Sequence, residues 1–106
     1  MAQPRALMLP YATIAQWGLQ YALTGDPANA DAFRTAFRAL HERGQETGRW
    51  ISEPWTNVYF NLWKIMIAWE LICDDPAFSA DDRLMIEQAL WGMARFCDWL
   101  PNLDPD

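Results

Sequence analysis

Glu53, Asn57, Asn61 and Lys64 are separated by four, four and three residues, so on a helix they fall within a wedge of roughly 80° at about 100° per residue. A carboxylate, two amides and an ammonium on one face can hydrogen-bond hydroxyls and hold an acid group, which is the chemistry of binding an acidic sugar. Arg49, Trp50 and Trp55 belong to the same stretch and would add a guanidinium and two ring faces at the mouth of such a cleft. A solvated stripe on a small helical bundle has the same spacing, and Phe60, Ala68 and Leu71 continue the wedge with apolar side chains.

Other residues capable of chemistry point to structure. His41 is the chain's single histidine and falls near the end of a charged helix, where packing or solvation suits it better than catalysis. Cys73 and Cys97 form no CxxC pair and lie in apolar contexts, so buried free thiols are expected. Asp74, Asp75, Asp81 and Asp82 lack the alternating ligands, central Gly and closing Glu of a calcium loop, and fit helix caps instead. The sequence holds no Gly-rich phosphate loop, zinc spacing or Gly-x-Ser-x-Gly elbow. No catalytic residue, metal or cofactor is therefore predicted.

Rigid elements must hold these side chains, and breakers divide the chain into four helices. The first spans about residues 10–24, with Pro10 at a tolerated first-turn position and Gly25 closing the end. The second covers about 27–43, where Phe33, Ala36, Phe37 and Leu40 repeat at the spacing that places them on one face. Gly44 to Gly48 read as a connector. The third begins near Ser52, an N-cap followed by Glu53 and Pro54, and runs to about Cys73, where Asp74, Asp75 and Pro76 stop it. The fourth opens at Ser79, with Asp82 completing an acidic capping box, and extends to about Leu100 before Pro101. No alternating strand pattern or Asn-Gly hairpin turn occurs, so the fold class is all-α.

The two halves look alike. Tyr21-Ala-Leu-Thr-Gly-Asp-Pro followed by Ala30-Asp31 corresponds to Glu70-Leu-Ile-Cys-Asp-Asp-Pro followed by Ala80-Asp81, at an offset of about 49 to 50 residues. Each half is an αα-hairpin, one over about 10–43 and the other over about 52–100. Helices one and three are apolar on nearly every side and are expected to be enclosed as inner helices. Helices two and four carry charged faces (Arg34, Arg38, Glu42; Asp81, Arg83, Glu87, Arg95) and are expected outside. Such layering suits a solenoid-like bundle or a partial α/α-toroid, and two hairpins leave both ends of the stack open. Self-association, or membership of a longer array, follows.

The totals agree with one helical domain over residues 1–106, since 52% hydrophobic and 21% charged residues suit a packed chain of this length. Seven Trp, five Phe and three Tyr exceed what a small core needs, so some rings should serve a surface. The formal charge of -6 repels nucleic acid and anionic lipid and favours a basic protein as partner. The run from Trp55 to Cys73 carries Asn57, Asn61, Lys64 and Glu70, too polar for a membrane span. The opening residues lack a cleavage site and contain Pro10, which argues against a signal peptide and for a cytoplasmic protein.

The strings TIAQWGLQYALTGDPANADAF (13–33) and WKIMIAWELICDDPAFSADDRLMIEQAL (63–90) resemble the α/α-toroid domain of polysaccharide lyases of the heparinase II/III and oligo-alginate lyase type. The resemblance covers most of residues 10–100 and lies in the scaffold. It implies a toroid built from helical hairpins, β-elimination beside a uronic acid carboxylate, and an acidic oligosaccharide as ligand. That family supplies Asn, His, Tyr and Arg to the reaction; the Asn-His pair of the next inner helix has no counterpart here. The expectation is a non-catalytic helical module that binds acidic oligosaccharide through the face of helix three. The alternatives are an acidic protein-interaction module and a self-assembling homo-oligomeric unit.

Overall fold

Glycine and aspartate decide where these helices stop. The computed structural model describes residues 11–48, 50 and 55–98, with 55–60 and 96–98 described by backbone alone. Four helices result: α1 (Tyr11–Thr24), α2 (Pro27–Thr47), α3 (Trp55–Ile72) and α4 (Ala80–Asp98), with no strand among the described residues. Gly25 closes α1 at φ 71°, its N–H donating to the Tyr21 carbonyl at 2.8 Å. Asp26 then caps α2, its carboxylate accepting from the Ala28 N–H at 3.0 Å, and Pro27 occupies the first turn. At α4 the capping box forms as expected. The Asp82 N–H donates to Ser79 Oγ and the Ser79 N–H to Asp82 Oδ2, both at 3.0 Å.

One boundary departs from the sequence reading. The helix α2 continues through Gly44 to Thr47, and Gly48 at φ 74° provides the left-handed cap, its N–H donating to the Gly44 carbonyl. A glycine inside a helix costs only about 1 kcal/mol, and here Gly44 is buried where a bulkier residue would collide with the Trp50 ring. The expected starts at Pro10 and Ser52 and the end at Leu100 lie outside the described residues.

The two hairpins lie side by side. In one layer α1 packs on α3, in the other α2 packs on α4, and each hairpin closes on itself. The hairpins meet across the seam: Gly18 faces Ala68, Tyr21 donates to Asp75 at 2.8 Å, and His41 shares a hydrogen bond with Gln88 at 2.7 Å. The predicted stripe Phe33, Ala36, Phe37 and Leu40 is buried. Phe33 sits at the centre of an aromatic cluster, stacked on Trp69 at 6.1 Å and edge-on to Phe78 at 6.1 Å. At Gly18, an added Cβ would lie 2.8 Å from both the Ala68 methyl and the Phe33 ring, so glycine sets how closely α1 and α3 approach. Gly18→Ala is expected to lower the unfolding free energy by about 1–2 kcal/mol, because overpacking outweighs the ~1 kcal/mol gain in helix propensity. Urea denaturation measures it, and a stabilised variant would refute the close approach.

The charged face of α2 was expected in solvent, and Arg34 corrects that expectation. It is 18% exposed and crosses to the second hairpin, where Nε reaches Asp82 Oδ2 at 3.1 Å and Nη2 donates to the Ala77 carbonyl at 2.6 Å. Arg38 adds a second ion pair to Asp82 at 3.5 Å. Burial works against the Asp82 anion, yet hydrogen bonds at Ser79 and the Arg34 charge outweigh it and hold its pKa below the usual value. Asp75 is lowered too, by the Ala77 N–H and the Tyr21 hydroxyl. Because both folded-state values are depressed, the stability these groups contribute is present above the ordinary carboxylate pKa of about 3.9 and is lost as pH falls through the folded values. Asp82→Asn is expected to cost about 1–2 kcal/mol at pH 7. Denaturant titrations should show that cost shrinking from about pH 4 downward; a cost independent of pH would contradict the ionic origin.

Candidate functional site

Of the residues expected to form a sugar cleft, Trp50, Asn61 and Lys64 have described side chains. Arg49 and Glu53 fall outside the described residues, and Trp55 and Asn57 are placed by backbone alone in the first turn of α3. On that helix Asn61 is half-buried and Lys64 is exposed. Trp50 sits between the hairpins. Its ring fills the space beside Gly44 of α2 and Gly92 of α4 and stands edge-on to His41 at 5.9 Å. A ring wedged there serves packing. Trp50→Ala is expected to cost about 3 kcal/mol, as removal of a packed aromatic does, whereas Lys64→Ala should stay within about 0.5 kcal/mol. Thermal and urea unfolding of the two variants give the comparison, and equal small effects would return Trp50 to the surface.

Two further groups capable of chemistry, Tyr21 and Cys73, are perturbed by their neighbours. The Tyr21 hydroxyl donates to Asp75, and that hydrogen bond, with burial and the negative charge, raises the phenol pKa. Cys73 is partly exposed and not buried as expected; desolvation, then the Asp74 and Glu70 charges, raise its thiol pKa. A thiol so perturbed carries less thiolate and is a poor nucleophile. The Cys97 side chain lies outside the described residues. Among the described residues no group of His, Cys, Asp and Glu is arranged to hold a metal ion, and no helix is long and apolar enough to cross a membrane.

The feature that stands out is an apolar face, and it corrects the expectation that α3 is enclosed. One stripe of α3, Leu62, Ile65, Trp69 and Ile72, enters the core. A second stripe, Trp63, Met66, Ile67 and Leu71, is open, with Trp63 and Leu71 each 64% exposed. Leu84 and Trp91, two turns apart on α4, extend it, and Trp91 is 68% exposed. Two shallow grooves run between them. One of about 310 Å³ is lined by Trp63, Met66, Ile67 and Glu70, and the other, of about 290 Å³, by Met66, Leu90, Trp91 and Ala94 with Glu87 at its edge.

Superposing Asp26-Pro27 on Asp75-Pro76 places Ile14, Gly18 and Tyr21 on Trp63, Ile67 and Glu70. Ile14 and Gly18 are buried, and Gly18 and Tyr21 contact the second hairpin. The open face of the second hairpin is thus the counterpart of the face that the first hairpin uses for the second. The spacing of three and four that begins at Trp63 was the signal for it in the sequence, hidden because α3 carries a second apolar stripe beside it. Comparison of the chain with protein-family models, curated proteins and solved structures finds no match in any of the three.

Proposed function

We propose that this protein is a non-catalytic helical docking module whose working surface is the α3/α4 face, and that its partner is another helical protein surface. The observation that carries this reading is the set Trp63, Met66, Ile67 and Leu71 on α3 with Leu84 and Trp91 on α4, all large, apolar and exposed, and joined by a groove that Met66 and Trp91 both line. Isolated exposed hydrophobics are ordinary, but a contiguous patch on two adjacent helices with charged residues around it marks an interaction site. Its correspondence with the covered face of the first hairpin points to helices as the complement, since a hairpin already packs on that pattern within the chain. The likeness to the lyase toroid fits the same reading, because hairpins in such arrays work by stacking on their neighbours.

The test separates docking surface from core. At about 1 µM protein, Ile67→Glu should change the unfolding free energy by no more than about 0.5 kcal/mol and should abolish the fluorescence of a bound apolar dye. A loss above about 2 kcal/mol would place Ile67 in the core and end the reading.

A second reading, binding of acidic oligosaccharide, draws on the exposed Lys64 one turn from Asn61. Oligoalginate titration followed by tryptophan fluorescence tests it, and an unchanged signal at millimolar ligand removes it.

A further inference from the structure

The two ends of the hairpin stack differ in chemistry, and that difference selects the partner. At the first hairpin's end, the α1/α2 depression is lined by Trp17, Asp31, Ala32, Thr35, Ala36 and Ala39. Among the described residues of this hairpin, Leu23 at the end of α1 is the one large apolar side chain that is exposed, against six on α3 and α4. The α3/α4 end carries the rings of Trp63 and Trp91 together with the grooves beside them. Head-to-tail stacking of copies would set these rings against a surface of small side chains with Asp31 and Thr35 among them. Stacking of two α3/α4 ends covers the six large exposed apolar side chains of each copy and leaves outside the end that exposes only Leu23.

The charges on the open face are arranged for the same pairing. Glu70 shares the exposed stripe of α3 and lies in that helix's last turn, near the connection to α4. Arg95 follows Leu84 and Trp91 at helical spacing and lies in the last turn of α4. Because α3 and α4 form a hairpin, these two charges occupy opposite ends of one face. A two-fold axis that inverts the helices brings the Glu70 end of each copy over the Arg95 end of the other. At 1.5 Å per residue, Trp63 falls roughly midway between the two levels, close to such an axis.

We infer that the docking partner is a second copy of this chain, joined through the α3/α4 faces about a two-fold axis, with Trp63 near the axis and Glu70 of each copy facing Arg95 of its mate. The inference rests on the docking reading and names its occupant. An isologous interface requires one surface to be complementary to itself, with protrusions, hollows and both signs of charge present together. This face has all three, and its exposed tryptophans are the residue type that anchors protein interfaces.

Sedimentation velocity on the full chain, from micromolar to several hundred micromolar, tests the arrangement. The expected result is a monomer–dimer equilibrium that Ile67→Glu abolishes. Glu70→Arg should weaken the dimer about tenfold through two like-charge contacts, and Glu70→Arg combined with Arg95→Glu should restore it. The pair is too far apart within one copy for that rescue to arise internally. A monomer at every concentration overturns the inference, whether the face is bare or covered by the chain's own residues 1–10. An open-ended series of oligomers, or a double variant that fails to recover, also overturns it. These three outcomes leave the docking reading standing, whereas a dimer indifferent to Ile67→Glu overturns both.

Discussion

The contact of Gly18 with Ala68 and Phe33 sets the geometry on which the rest depends. With no side chain at that point, α1 approaches α3 closely enough for Phe33 to reach between the layers and stack on Trp69. Once that distance is set, Tyr21 falls within reach of Asp75, and Arg34 within reach of Asp82 and the Ala77 carbonyl. Polar bridges and aromatic core therefore report one placement of the second hairpin on the first. The bridges add specificity more than bulk stability, because the Arg34 donors and the Asp82 carboxylate have few other ways to be satisfied once the seam is closed.

The helices themselves were legible because their determinants are local. Ser79 and Asp82 are three residues apart and cap the same turn, and Phe33, Ala36, Phe37 and Leu40 lie on one face whatever the rest of the chain does. What failed depended on distant residues. Arg34 looked like part of a solvated face because Asp82, which engages it, lies more than forty residues away in sequence. Gly44 looked like a breaker because the ring that occupies its vacant Cβ position belongs to Trp50, beyond the end of the helix. Local rules see the cost of a glycine and cannot see what it admits.

The proposed sugar site shows the same limit. A wedge drawn from helical spacing states which residues share a face and not what the face meets. Asn61 turned inward enough to be half-buried, Lys64 stayed in solvent, and Trp50 became part of the seam. The open face of α3 was missed for a related reason. A helix that is apolar on every side is enclosed only when the fold supplies neighbours on every side, and two hairpins supply them for α1 and α2 on one flank and for α3 on the other. The excess of tryptophan over the needs of the core was the compositional trace of that surface.

The parallel placement of the hairpins also bears on how the chain comes off the ribosome. Gly18, Tyr21 and Arg34 have their partners in the second hairpin, which is complete only with α4, about fifty residues after α2 ends. At translation rates of about 5–20 residues per second, the nascent first hairpin waits roughly 3–10 s with Gly18 and the Phe33 ring lacking the cover they have in the finished fold. During that interval, the same apolar pattern that later orders the protein is a target for chaperones and for neighbouring nascent chains.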